Sequence, residues 1–218
     1  MSTHPGTPPE KHTADIILAP ARHYSSPRMA DKIVVIGAST GGTDALRVFL
    51  QAMPVDMNGI AIVQHLPHNF SAMLATQLQR TCAMKVRLAV HGEPMQKGLA
   101  LLAPGDKHML VHRKGPSFFV ELRSGPPVRR HRPSVDVLFR STANSAGANA
   151  VGVILTGMGD DGAACMAELR QSGALTIAQD KKTCAVFGMP AEAIRRGGIS
   201  HVLPLHAIAA KVIGACKN

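Results

Sequence analysis

From Asp31 onward the chain alternates short apolar, β-branched runs with stretches of helical periodicity. Residues 33–36 are consecutively apolar and stop at Gly37, the pattern of a strand buried on both faces. From about 43 to 52, Leu46, Phe49 and Leu50 fall on one helical face. Residues 59–64 predict a second strand, halted by Pro67; 69–80 a helix with Ser71 as its cap; and 86–90 a third strand. Residues 99–103, 109–112 and 118–122 read as short strands separated by Pro104-Gly105-Asp106 and Lys114-Gly115-Pro116. They predict an inserted antiparallel hairpin or meander. Further on, helices are expected over 135–146, 163–172, 190–196 and 206–215, and strands over 150–156, 175–179 and 199–204. Repeated strand–helix units predict an α/β protein: three-layer α/β/α, with a mainly parallel, doubly wound (Rossmann-like) sheet and the inserted meander. Residues 1–30 carry no such pattern. They are rich in Pro, His, Ser and Thr, with one apolar island at 16–19, and are expected to be a flexible arm or linker before a domain spanning 31–218.

Composition narrows the classes. At 218 residues, 45% hydrophobic and 17% charged, the chain can bury a full core as one domain. Aromatics make up 3%, with no Trp, which argues against a single-strand nucleic-acid binder built on stacking platforms. The net charge of +10 points to acidic partners or to a solvated basic surface, and Lys and Arg are dispersed rather than run together. The four cysteines form no C-x-x-C pair and read as reduced thiols of a cytoplasmic protein. No apolar signal core opens the chain, and no apolar run is long enough to span a bilayer.

Between the first strand and helix lies Gly37-Ala38-Ser39-Thr40-Gly41, a G-x-S-x-G turn. Such a turn lifts the serine above the sheet edge, beside the free N–H groups of a helix start. The same glycine-rich geometry can cradle a phosphate. The Lys of a P-loop is missing, however, and no acidic residue ends the second strand to take a ribose. In a parallel sheet, ligands bind beyond the C-terminal strand ends. Ser39, His65 and the Asp160-Asp161 pair all leave such ends, so a hydroxyl, an imidazole and a carboxylate could meet there. Taken singly, His65 is equally a hydrogen-bonded strand-end residue, and Asp160 and Asp161 are equally helix caps. Cys165 has no basic neighbour and reads as a small buried hydrophobe. The Met158 N–H is a candidate oxyanion donor, and the basic loop holding Arg129, Arg130 and Arg132 could take acidic groups of a substrate.

Six blocks in register decide among these readings. They are Gly37-Ala-Ser-Thr-Gly-Gly42, Gln64-His-Leu-Pro67, Ala103-Pro-Gly-Asp-Lys-His108, Arg130-His-Arg-Pro-Ser-Val-Asp136, Gly152-Val-Ile-Leu-Thr-Gly-Met-Gly-Asp-Asp-Gly162 and Val186-Phe-Gly-Met-Pro190. Together they resemble the catalytic domain of chemotaxis protein-glutamate methylesterases (CheB), from about residue 32 to 205. The resemblance implies a Ser-His-Asp triad acting on methylated glutamates of chemoreceptor cytoplasmic helices, with glutamine deamidation as a second activity. Ser39 would be the nucleophile, His65 the base and Asp161 the acid, with Asp160 at a variable position. Thr40, His131 and Met158 match residues lining the family's site. No metal or organic cofactor and a monomeric state are implied. Cys165 stands where the family often has Gly. The family usually carries an N-terminal receiver domain, which is absent from these residues. The sequence is therefore either a free-standing esterase or part of a longer chain beginning in the linker. A binding module without activity is the remaining rival, and it would have no need of all three triad residues.

Overall fold

Strand β1 (Ile33–Ala38) is buried at every position, because its alternate residues feed two separate cores. Ile33 and Val35 face one, Val34 and Ile36 the other. The computed structural model describes residues 11–20 and 31–217. In it β1 pairs in parallel with β2 (Ile60–Gln64) on one side and β8 (Ala150–Ile154) on the other. Next to β2 come β5 (Leu99–Leu102) and then β3 (Lys85–Leu88); next to β8 come β9 (Leu175–Gln179) and β10 (His201–Leu203). All seven strands are parallel, in the order β10-β9-β8-β1-β2-β5-β3.

Three helices cover one face: α1 (Gly42–Gln51), α2 (Ser71–Gln79) and α6 (Leu205–Lys217). Three cover the other: α3 (Val135–Ser145), α4 (Ala163–Gln171) and α5 (Met189–Arg195). This is the expected α/β/α arrangement. An antiparallel sheet, in the order β4 (Glu93–Pro94), β7 (Ser117–Arg123), β6 (His108–Lys114), packs against the second core. Helix α3 touches both sheets, and the Ser141 hydroxyl accepts the Val111 N–H at 2.9 Å. That placement buries nine of its eleven residues. No helix of the described residues is long and apolar enough to cross a membrane.

Three expectations change. Residues 99–103 do not belong to the meander: β5 is buried at all four positions and lies between β2 and β3, where a continuous apolar run belongs. The meander's third strand is instead β4, two residues long and too short to leave a pattern. Buried Glu93 ties it to the main sheet through an ion pair with Arg87. Ser71 does not cap α2; it is the first helical residue, and the cap position belongs to Phe70 without a side-chain bond. Within the stretch expected as a flexible arm, residues 11–20 lie against the body. Ala14 is buried, Asp15 pairs with Arg140 at 2.6 Å, and the His12 carbonyl accepts the Arg129 N–H at 2.9 Å. Arginines elsewhere in the chain hold this segment, so its own composition does not show the anchorage. The rest of the arm, 1–10 and 21–30, lies outside the described residues.

Candidate active site

Strands β8, β1 and β2 are adjacent, so the loops at their C-terminal ends open onto one edge. Ser39 follows β1 directly. Its N–H donates to the Thr156 carbonyl at 3.0 Å, and its own carbonyl accepts the Gly42 N–H at 2.8 Å. The turn needs Gly41, whose φ of 76° is left-handed. It also needs Gly157, where a Cβ would stand 2.7 Å from the Ser39 Cβ. Buried Thr156 clasps the turn from the β8 side: its hydroxyl donates to the Thr40 carbonyl and accepts the Val186 N–H, each at 2.9 Å. Ser39 and exposed Thr40 border a cleft of about 380 Å³, together with Lys11, Arg130, His131 and Met158.

His65 follows β2, and its Nε2 lies 2.7 Å from Asp161 Oδ2. The imidazole Nδ1 is buried and has no hydrogen-bond partner among the described residues. Asp161 is 1% exposed and fully engaged. Its Oδ1 accepts from the Ser134 hydroxyl (2.8 Å) and the Asp136 N–H (3.0 Å), and its Oδ2 also accepts the Val135 N–H at 2.8 Å. Val135 and Asp136 open α3, so this carboxylate sits where a capping side chain would, at the positive end of the helix. Burial pushes the Asp161 carboxyl up, but the hydrogen bond and charge of His65, with the two α3 amides, outweigh it and hold the carboxyl below its ordinary range.

The ring of His131 stacks on that of His65, with centroids 3.6 Å apart and planes 5° from parallel. Burial, then the charge of His65, lowers the His131 pKa. His131 is carried by a tight turn closed by paired Val128–His131 backbone bonds of 3.0 and 2.8 Å. Both central residues, Arg129 and Arg130, have left-handed φ, 50° and 71°, a strained state for branched-out L residues. Arg129 holds the turn down, reaching Asp136 at 3.2 Å and Asp160 at 3.4 Å.

The sequence-predicted residues therefore divide. Ser39, Thr40, His65, Asp161, His131 and Met158 converge on one edge. Met158 is 66% exposed, and its N–H has no acceptor among the described residues. Arg129 turns inward to the two aspartates, while Arg132 bonds the Gly125 carbonyl at 2.7 Å. Arg130 lines both the Ser39 cleft and a second cleft of about 290 Å³ beside His65, Leu66 and Pro67. Asp160 is drawn off by Lys11 at 2.8 Å. Neither aspartate caps α4; Gly162, φ 91°, does. Cys165 is buried, as its apolar reading requires, and burial drives its thiol pKa up.

Sequence reasoning missed Ser134 and Asp136. Both lie in the Arg-Pro-Ser-Val-Asp run at a helix start, where Ser and Asp ordinarily read as caps. The Ser134 side chain makes no cap bond and donates to Asp161 instead. Asp136 lies within a turn of it, 1% exposed. Its carboxyl is raised to about 6 by burial and by the Asp161 charge, against the Cys165 N–H and Arg129.

Three comparisons bear on this geometry. A family model described as CheB methylesterase matches residues 34–212. The protein-glutamate methylesterase/protein-glutamine glutaminase 2 of Oleidesulfovibrio alaskensis is 55% identical over 208 residues, covering 95% of this chain and 58% of the relative. A relative of the same description, numbered 1, from Geobacter metallireducens is 56% identical over 206 residues, covering 94% and 56%. The chain thus spans little more than half the length of these curated relatives. The crystal structure of the Thermotoga maritima CheB methylesterase catalytic domain matches with a TM-score of 0.83 at 36% identity, covering 85% of this chain and 99% of that one.

Proposed function

The chain belongs to the CheB methylesterase family, and from that premise we propose that its residues from 31 on form a serine hydrolase domain. The domain removes methyl esters from glutamate side chains of chemoreceptor cytoplasmic helices, and deamidates glutamines in the same setting. The observation that carries this reading is the buried His65–Asp161 bond through Nε2, which leaves Nδ1 unpartnered on the edge that Ser39 occupies.

With Asp161 accepting the Nε2 proton, the tautomer is fixed and Nδ1 carries the lone pair. Nδ1 takes the Ser39 hydroxyl proton as Oγ attacks the ester carbonyl. His65 Nδ1 has no partner among the described residues, so the Ser39–His65 bond is unmade in this structure and is the contact the Michaelis complex has to close. The carbonyl oxygen becomes an oxyanion, held by the Thr40 and Met158 N–H groups. The carbon–methoxy bond breaks, the leaving oxygen takes the proton from His65, and methanol departs. Water then gives a proton to the same nitrogen and attacks the acyl carbon; the carbon–Oγ bond breaks, Ser39 Oγ takes the proton back from His65, and the product leaves as glutamate after losing its acid proton to solvent. For glutamine the leaving group is ammonia and the rest is unchanged. Asp161 stabilises the imidazolium, and the His131 face confines the ring.

The basic rim suits an acidic receptor helix in the cytoplasm. Arg130 and Arg132 are its outward charges; Arg129 serves the turn. The test is to incubate a methylated, glutamine-bearing chemoreceptor cytoplasmic fragment with the protein and with a His65→Ala variant. Methanol and ammonia should both appear with the native chain, and both should be lost with the variant. Persistence of either with His65→Ala contradicts the assignment.

A further inference from the structure

Gln64 ends β2, is 4% exposed, and sends its side chain across to the neighbouring strand end. Its Nε2 donates to the Ser39 carbonyl at 2.8 Å and to the His65 carbonyl at 3.1 Å. Both acceptors are carbonyls, so the amide orientation is set by the network: only the NH₂ end can face them. The Oε1 end then lies buried without a donor among the described residues, against Gly42, where no Cβ could fit beside it. An unpartnered buried acceptor works against the fold. What the same side chain gains in exchange is its grip on these two carbonyls.

What the Ser39 carbonyl bond fixes is the Ser39–Thr40 peptide plane. The peptide is planar and trans, so its C=O and N–H point in opposite directions. Two donors, Gln64 Nε2 and the Gly42 N–H, pull the carbonyl inward, each at 2.8 Å. The Thr40 N–H is thereby turned away from them, and it has no acceptor among the described residues. Thr40 itself is exposed on the wall of the Ser39 cleft. The second bond reaches the backbone of the base, so one amide group ties the nucleophile's turn to the histidine's.

We propose that Gln64 is a positioning residue: by clamping the Ser39 and His65 carbonyls with one NH₂ group, it aims the Thr40 N–H at the developing oxyanion and keeps the serine and histidine loops in register. This rests on the serine-hydrolase reading above. Gln64 touches neither substrate nor the reacting atoms, so it acts on transition-state alignment rather than on ground-state binding.

The test uses the full chain, a small neutral chromogenic ester and methylated receptor fragment. Gln64→Met keeps length and volume, removes the two donated bonds, and also removes the orphan acceptor. It should melt close to the native protein yet lose roughly 10²-fold in kcat on both substrates, with KM changed by no more than about twofold. Native kcat in this variant overturns the proposal. Gln64→Glu supplies a readout that a packing role would not move. A protonated carboxyl still offers one O–H donor to Ser39; the ionised form offers none. The titratable side chains nearest it are His65 on the strand end, Asp161 and His131 against that ring, and exposed Asp44 on the first turn of α1; the ionised carboxyl also favours the His65 imidazolium, an effect that disappears at alkaline pH where the ring is neutral in both proteins. The native-to-variant kcat ratio should grow as pH rises through the new carboxyl's titration and stay high on the alkaline plateau, while the ratio for Gln64→Met stays flat; a ratio that falls back to one on that plateau reports the base alone and overturns the proposal. A flat ratio for Gln64→Glu overturns the proposal, and it decides the matter alone if Gln64→Met does not fold. Ser39→Ala is run beside them. If it retains native turnover, the hydrolase reading itself has failed; if it is inactive and the Gln64 variants match the native protein, only the role of Gln64 has.

Discussion

Asp161 has four hydrogen-bond donors around its two oxygens and no acceptor, so only an anion suits the position. In Asp161→Asn, one end of the amide turns NH₂ toward donors whichever way it is placed. If that end faces His65, the imidazole must give up the tautomer that leaves Nδ1 free. The expected loss is about 10⁴-fold in kcat, measured on a small ester at neutral pH. That Ser39, His65 and Asp161 were legible in the sequence follows from their places. Ser39 and His65 each stand just past an apolar strand and the Asp160-Asp161 pair in the loop after β8, positions that a parallel sheet gathers, while the choice of Asp161 within that pair rested on the family resemblance. Arg129 and Arg130 show what charge alone leaves open. They are adjacent and chemically identical, yet the left-handed turn sends one inward to Asp136 and the other along the clefts. Gln64 and Ser134 were hidden for a related reason, because a buried amide or hydroxyl means nothing until its partner is known.

At the scale of elements, the start of α3 is where stability meets the proposed triad. Asp136 and Asp161 share one helix terminus, and their linkages run in opposite senses. Asp161 is lowered on folding, so its contribution is present above the unfolded value and lost as pH falls through the folded one. Asp136 is raised from 3.8 to about 6, so its contribution is complete at low pH and lost as pH rises to about 6. At neutral pH the Asp136 charge works against the fold. Asp136→Asn should therefore gain stability relative to the native chain as pH rises from 4 to 7, read from denaturant midpoints at each pH; a pH-independent difference contradicts it. On the same helix, Arg140 is 6% exposed and holds Glu168 at 2.5 Å and Asp15 at 2.6 Å. Arg140→Ala should cost roughly 2–3 kcal/mol, less than a fully buried pair because Glu168 and Asp15 keep some water. It should also speed hydrogen exchange at the Ile17 and Leu18 amides, which bond the Ala14 carbonyl. The strands of the main sheet were legible from burial on both faces. β5 was drawn into the meander only because turn residues flank it, and those residues mark a chain reversal without saying which sheet follows.

For the molecule as a whole, the strand order puts β1 in the middle and its two neighbours' loops on either side, so the edge proposed as catalytic is a product of topology. Under the proposed function, the net charge of +10 favours the approach of an acidic substrate. Turnover on an acidic receptor fragment should fall as salt rises from about 0.05 to 0.5 M, because screening shortens to a few ångströms over that range. Turnover on a small neutral ester should not change. Equal salt dependence of both would remove the electrostatic role of the rim. The central claim is that Ser39 is the nucleophile of a glutamate methylesterase, and methanol released from methylated chemoreceptor by the native chain and by Ser39→Ala tests it most directly. The account predicts release that falls about 10⁶-fold in the variant, to background; release that survives the loss of the Ser39 hydroxyl would contradict it.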